Sequence, residues 1–171
     1  MKKINKNAIL SQVLFGSRTP GKNMKVIFLD IDGVLTSIKS SKKNKNWDTF
    51  DPSAVALLNE VIKSTGAKIV ISSSWRKKHS LQELRQIFKN NKALGNSIID
   101  CTPGSTSGNR EEEIETWLRE SEHTIQCFIV IDDSPDMGKF SSRLITTSFE
   151  KGLTVLERDW AINLLNSGCS K

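Results

Sequence analysis

Two pairs of aspartates are the residues of this 171-residue chain best placed for chemistry. Asp30 and Asp32 follow the apolar run Val26-Ile27-Phe28-Leu29 and lead into Gly33, and Asp132 and Asp133 follow Ile129-Val130-Ile131. A third apolar run, Ile69-Val70-Ile71, ends in Ser72, Ser73 and Ser74. Carboxylates brought together repel one another, and a cation or a proton relieves the repulsion. Oxygen donors with no His or Cys beside them suit Mg²⁺, which takes one or two carboxylates and commonly a phosphate as well. The serine hydroxyls and the amides of the turn after them can donate to phosphoryl oxygens. Arg110 opens a predicted helix just ahead of the Asp132 strand and can clamp developing negative charge. Bland readings exist for each. Asp-x-Asp-Gly by itself is a common turn or calcium-loop fragment. A serine triplet is often only a polar loop. Arg110 equally fits a pairing with Glu111 or Glu113 along its own helix. Trp75 and Arg76 fit substrate contact, and Trp75 fits the core as well.

Those residues need elements that bring them to one place. Each apolar run lacks the alternation of a half-exposed strand and reads as a strand buried on both faces. Helical patterns lie between them. Asp51-Pro52 is a helix start, with apolar residues at Ala54, Val55, Leu58, Val61 and Ile62 and a stop at Gly66. Ser80 and Glu83 form a capping box for a second helix. Asn109 caps a third, whose Glu111, Glu112 and Glu113 suit its positive end. A last helix covers roughly residues 155–166. Ile98-Ile99 and the segment from Leu144 to Thr147 read as further strands, and residues 35–46 as a loop. Strands alternating with helices imply an α/β fold with a parallel sheet and right-handed crossovers. In such a sheet all the polar strand ends gather at one edge, where ligands bind. Gly33 lets the chain turn sharply there.

Composition sets the outer limits. The net charge is +6 and the pI about 9.3, a balance that favours polyanionic partners such as nucleic acid or a phosphorylated surface. Lys39, Lys42, Lys43 and Lys45 crowd one loop, either as a substrate-facing patch or as a plain solvated loop. Residues 1–23 read as a basic, flexible N-terminal extension and residues 24–171 as one domain. No stretch is long and apolar enough to span a membrane, and the start of the chain makes no convincing signal peptide. Cys101, Cys127 and Cys169 are odd in number and far apart. They imply a reducing, cytoplasmic compartment and argue against disulfides or a zinc site.

The motifs also carry a resemblance. Phe28-Leu29-Asp30-Ile31-Asp32-Gly33-Val34 resembles motif I of the haloacid dehalogenase (HAD) superfamily of phosphotransferases. Ile71-Ser72-Ser73-Ser74 resembles motif II, Arg110 stands where motif III has a Lys or Arg, and Ile131-Asp132-Asp133 resembles motif IV. The match covers about residues 24–165. Ser73-Ser74-Trp75-Arg76, Arg110 with Glu113-Ile114 and Trp117-Leu118, and the segment from Phe149 to Thr154 are similar to HAD domains associated with RNA-repair (Swiss Army Knife) proteins.

The resemblance implies a three-layer α/β/α, Rossmann-like catalytic domain with a minimal cap or none, and a chemistry. Asp30 would be the nucleophile that forms an aspartyl-phosphate. Asp32 would be the general acid and base. Mg²⁺ would be held by Asp30, the backbone carbonyl of Asp32, and Asp133. Asp132 would stand behind them, bonded to Arg110 or to metal-bound water. Ser73, favoured over Ser72 by strand register, would hold the phosphoryl group, with Ser72, Ser74, Arg76 and Gly33 around the substrate. Family caps are inserted after motif I or between motifs II and III, and both gaps here are too short for a folded domain. An open site implies a large substrate: a nucleic-acid 3′-phosphate end first, a phosphoprotein second, a small nucleotide third. A phosphate-binding module without catalysis is the reading from outside the enzyme class.

Overall fold

A computed structural model describes residues 23–40 and 49–169. The expected basic extension over residues 1–23 (apart from Asn23), the lysines at 42, 43 and 45, and Trp47 lie outside the described residues. The strands are β1 (Met24–Leu29), β2 (Lys68–Ile71), β3 (Ile98–Cys101), β4 (Ile125–Asp132) and β5 (Leu144–Thr146). The helices that lie wholly among the described residues are α1 (Pro52–Thr65), α2 (Leu81–Asn90), α3 (Arg110–Glu120) and α4 (Val155–Asn166), and residues 38–40, expected in a loop, are helical too. All strand pairs are parallel, in the order β3-β2-β1-β4-β5. The expected α/β class and parallel, Rossmann-like sheet are therefore present.

The helices begin and end where local chemistry places them. Asp51 accepts from the Ser53 amide at 2.9 Å with Pro52 in the first turn, and Gly66 closes α1 at φ 70°. Ser80 and Glu83 make the reciprocal capping box of α2, and Thr154 and Glu157 make a second one at α4. Each such cap is worth about 1 kcal/mol. The Asn109 side chain caps α3 by accepting from the Glu111 amide at 2.8 Å.

Side-chain alternation sorts the core into two layers. Ile27, Leu29, Ile69, Ile71, Ile129 and Ile131 face α1, α2 and α4 through Leu58, Leu84, Phe88 and Leu165. Val26, Phe28, Val70 and Val130 face α3 through Ile114 and Trp117. Phe28 packs edge-on to Trp117, with ring centroids 5.4 Å apart. Burying a side chain of this size stabilises the fold by about 1.5–3 kcal/mol. The alternation also aims the chemistry. Asp30 and Asp132 follow Phe28 and Val130 by two residues, so they continue the face that α3 covers, and Arg110 is the first residue of α3.

Two expectations about connections meet different ends. Among the described residues the gap between β2 and α3 is filled by short 3₁₀ turns, α2 and β3, and no inserted domain covers the sheet edge. The cysteine reading is corrected: Cys127 and Cys169 form a disulfide, with Cα atoms 5.4 Å apart, and Cys101 alone is free. The cause is packing. α4 crosses the face of β4 that carries Cys127, and the chain after α4 returns Cys169 to it. The cysteine argument for a reducing compartment therefore does not stand. No described helix is long and apolar enough to cross a membrane.

Candidate active site

The β1 and β4 strands are neighbours whose connections leave the sheet in opposite directions, which makes the crevice at their carboxyl ends the natural ligand site. A cleft of about 450 Å³ opens there. Its lining includes Asp30, Arg110, Asp132, Asp133, Glu111 and Asp136. Arg110 leaves the Glu residues of its own helix alone and reaches across to the sheet. Its Nη1 lies 3.0 Å from Asp30 Oδ2 and also bonds Asp132 Oδ2. Burial opposes the guanidinium's charge, but Asp30 and Asp132 outweigh it and raise its pKa further. Burial pushes the Asp132 carboxyl above the usual carboxylate value, with Arg110 pulling the other way. Asp133 is also raised, by burial first and by the nearby Asp30 charge next.

The donor set fits a hard divalent cation. Asp30, Asp132 and Asp133 each offer a carboxylate oxygen, and the three lie within 4.8 Å of one another. No His or Cys belongs to the group, which points to Mg²⁺ rather than zinc. Gly33 adds a second sign of a built cradle: a Cβ there would lie 2.7 Å or less from Asp133 side-chain atoms. The Asp32 carboxylate is outside this group. Its Oδ2 accepts from the Trp75 indole at 2.9 Å and its Oδ1 from the Thr36 hydroxyl at 3.1 Å.

The serine turn is arranged differently from the expectation. Ser73 is buried, and its hydroxyl caps its own turn by accepting from the Trp75 amide at 3.4 Å. Ser72 is also buried, and its hydroxyl has no hydrogen-bond partner among the described residues. The β1–β2 register pairs Phe28 with Val70 and Leu29 with Ile71, which sets Ser72 beside Asp30. Ser74 is exposed.

Arg76 is occupied by the protein. Its Nη1 donates to the Ser72 and Ser73 carbonyls at 2.8 and 2.7 Å, and its Nη2 pairs with the buried Glu113 at 2.5 Å. It ties the serine turn to α3. Sequence reasoning missed this partner, because Glu113 reads as one more acid in the first turn of a helix. The one signal was that Glu113 precedes Ile114 on the side of α3 that faces the sheet. Asp136 accepts from the Gly138 amide at 2.9 Å, so it caps the turn that follows.

A family model describing the HAD domain in Swiss Army Knife RNA repair proteins matches residues 26–157. No curated protein matches the chain. The match carries with it hydrolase chemistry of the phosphatase type. It runs from inside β1 into the first turn of α4 and so takes in every strand of the sheet; the chain belongs to this family of the HAD superfamily.

Proposed function

We propose that the protein is a Mg²⁺-dependent phosphomonoesterase that works through an aspartyl-phosphate. The observation that carries the reading is the joint placement of Asp30, Arg110, Asp132 and Asp133 in one cleft, with the arginine 3.0 Å from Asp30. Arg110 holds Asp30 Oδ2, which leaves Oδ1 to attack phosphorus. The Oδ1–phosphorus bond forms as the bond to the leaving oxygen breaks, and Asp32 delivers a proton to that oxygen. Asp32 then takes a proton from the water that cleaves the aspartyl-phosphate. Arg110 faces the phosphoryl oxygens as negative charge spreads over them. The unpaired Ser72 hydroxyl, set beside Asp30 by the strand register, is the first candidate donor to the phosphoryl group, and the Ser73 hydroxyl, which accepts from the Trp75 amide and keeps its own O–H, is the second. A divalent cation held by Asp30, Asp133 and the Asp32 carbonyl, with Asp132 behind them, would neutralise phosphoryl charge.

The open edge supports a macromolecular substrate, first of all an RNA or DNA 3′-phosphate end. Lys39, Lys77, Lys78 and Lys151 are exposed in the connections that follow the carboxyl ends of β1, β2 and β5, where a polyanionic backbone would pass. The family's place in RNA repair proteins points the same way. A phosphoprotein is the second reading, because Glu111 and Asp136 on the cleft wall would suit a basic peptide.

The test is a side-by-side assay with Mg²⁺ on a 3′-phosphorylated oligonucleotide, a phosphotyrosine peptide, a phosphoserine peptide and free nucleotides. The oligonucleotide should be preferred, and Asp30→Asn should abolish turnover. Full activity in Asp30→Asn would rule out the aspartyl-phosphate route, and a preference for free nucleotides would rule out the macromolecular substrate.

A further inference from the structure

Asp30 and Asp32 are two residues apart and are held by opposite kinds of partner. Asp30 meets a cation, Arg110. Asp32 meets two neutral donors, one on each carboxylate oxygen: the Trp75 indole at 2.9 Å and the Thr36 hydroxyl at 3.1 Å. Both donors are themselves fixed. Thr36 is fully buried and forms a β-bridge with Asp32. The Trp75 ring packs 5.9 Å from Phe50 and 5.8 Å from His79, and Phe50 in turn packs 5.1 Å from Phe88 in the core. The Trp75 amide is tied to the Ser73 hydroxyl. A carboxylate with one donor on each oxygen has its side-chain torsions set by both.

We propose that Trp75 is a positioning residue for the proton-carrying Asp32, acting with Thr36 to orient its carboxylate. The inference rests on the phosphatase reading given above. An indole nitrogen only donates, so Trp75 takes no part in moving the proton. Its work is geometric, and a small displacement of a reacting group can cost a large part of a rate. The packing of the ring does not explain the bond, since a phenylalanine would fill the same apolar contacts without an N–H. Placing this donor on the turn after β2 also links the orientation of the acid to the loop that carries Ser72 and Ser73.

The test compares Trp75→Phe with the wild type on phenyl phosphate and p-nitrophenyl phosphate. The nitrophenolate leaves readily without a proton, whereas phenolate depends more on the acid. Trp75→Phe should lower kcat on phenyl phosphate about tenfold more than on p-nitrophenyl phosphate. Thr36→Val should show the same selectivity and serves as the second variant if Trp75→Phe folds poorly. In parallel, the Trp75 indole ¹H–¹⁵N resonance, assigned by its loss in Trp75→Phe, should move in Asp32→Ala. Equal losses on both substrates, or an unmoved indole resonance, would overturn the proposal. A wild-type protein inactive on both substrates and on the 3′-phosphorylated oligonucleotide and phosphopeptides as well would overturn the phosphatase reading, and with it the catalytic role of the contact. The indole resonance is read without turnover and tells these failures apart.

Discussion

Gly33 lies against Asp133 so closely that a Cβ on it would stand 2.5 Å from Asp133 Oδ2 and 2.6 Å from its Cγ. Gly33 also has φ +74°, a conformation that other residues adopt only with strain. The motif's glycine therefore does two things: it turns the chain after β1 and leaves room for a candidate metal ligand from β4. Gly33→Ala should displace Asp133, weaken Mg²⁺ binding at least about tenfold and lower activity in step, with a stability loss of about 1–3 kcal/mol. Calorimetric Mg²⁺ titration beside a denaturant melt checks this. Unchanged Mg²⁺ affinity would show that Asp133 is not a ligand.

The raised carboxyls at Asp132 and Asp133 make stability depend on pH and on metal. A carboxyl whose folded pKa lies above its unfolded value adds stability below the unfolded value, here 3.8, and that stability is lost as pH rises through the folded value. Metal-free protein should therefore lose this contribution as pH rises from the ordinary carboxylate range towards neutrality. Bound Mg²⁺ should restore it, with a larger gain in Tm at neutral pH than in acid. Asp133→Asn should raise the metal-free Tm at neutral pH and remove the Mg²⁺ gain. Thermal melts across pH, with EDTA or with Mg²⁺, check both signs; an Mg²⁺ gain independent of pH would contradict them.

Arg76 and Glu113 form a buried ion pair 2.5 Å apart that joins the serine turn to α3. Removing one partner leaves a buried charge alone, which costs about 3–5 kcal/mol. Glu113→Gln and Arg76→Met should each destabilise by an amount in that range. The double variant Arg76→Met with Glu113→Leu should recover much of it. Urea melts of the single and double variants give the coupling. Additive losses would mean that the two side chains do not act as a pair.

The disulfide between Cys127 and Cys169 closes a loop across a sequence separation of 42. Chain-entropy bookkeeping assigns such a loop about 2–4 kcal/mol. Cys169→Ser should lower the unfolding free energy by that amount, and a reductant should do the same to the wild type alone. Mass spectrometry of alkylated protein, with and without reductant, counts the free thiols. Three free thiols without reductant would exclude the bridge.

Cys101 offers no comparable chemistry. Burial and the neighbouring Asp100 push its thiol up to about 11, so it stays protonated near neutrality. Alkylation under native conditions should be slow at Cys101.

Much of this protein was legible in its sequence because the relevant physics is local. The apolar runs before Asp30, Ser72 and Asp132 mark the central strands, since strands buried on both faces read as short unbroken runs rich in Val and Ile. Asp51-Pro52, the Ser80–Glu83 box and Asn109 mark helix starts, since a cap works within three residues. Once the strands are known to be parallel, their polar ends must share an edge, and the site follows in outline. The choice of partners within the site does not follow. Arg110 had acidic neighbours on its own helix and instead bonds Asp30 and Asp132, the latter 22 residues away in sequence. Trp75 reaches Asp32 across 43 residues, and Cys127 meets Cys169 across 42. Those contacts depend on strand order, on the parity that puts Asp30 and Asp132 on the α3 face, and on where α4 returns to β4. Such relations exist only when the layers are packed. Sequence by itself determined which groups stand at the edge of the sheet; tertiary structure decided which of them hold one another, because packing sets the distances between groups that the chain keeps far apart.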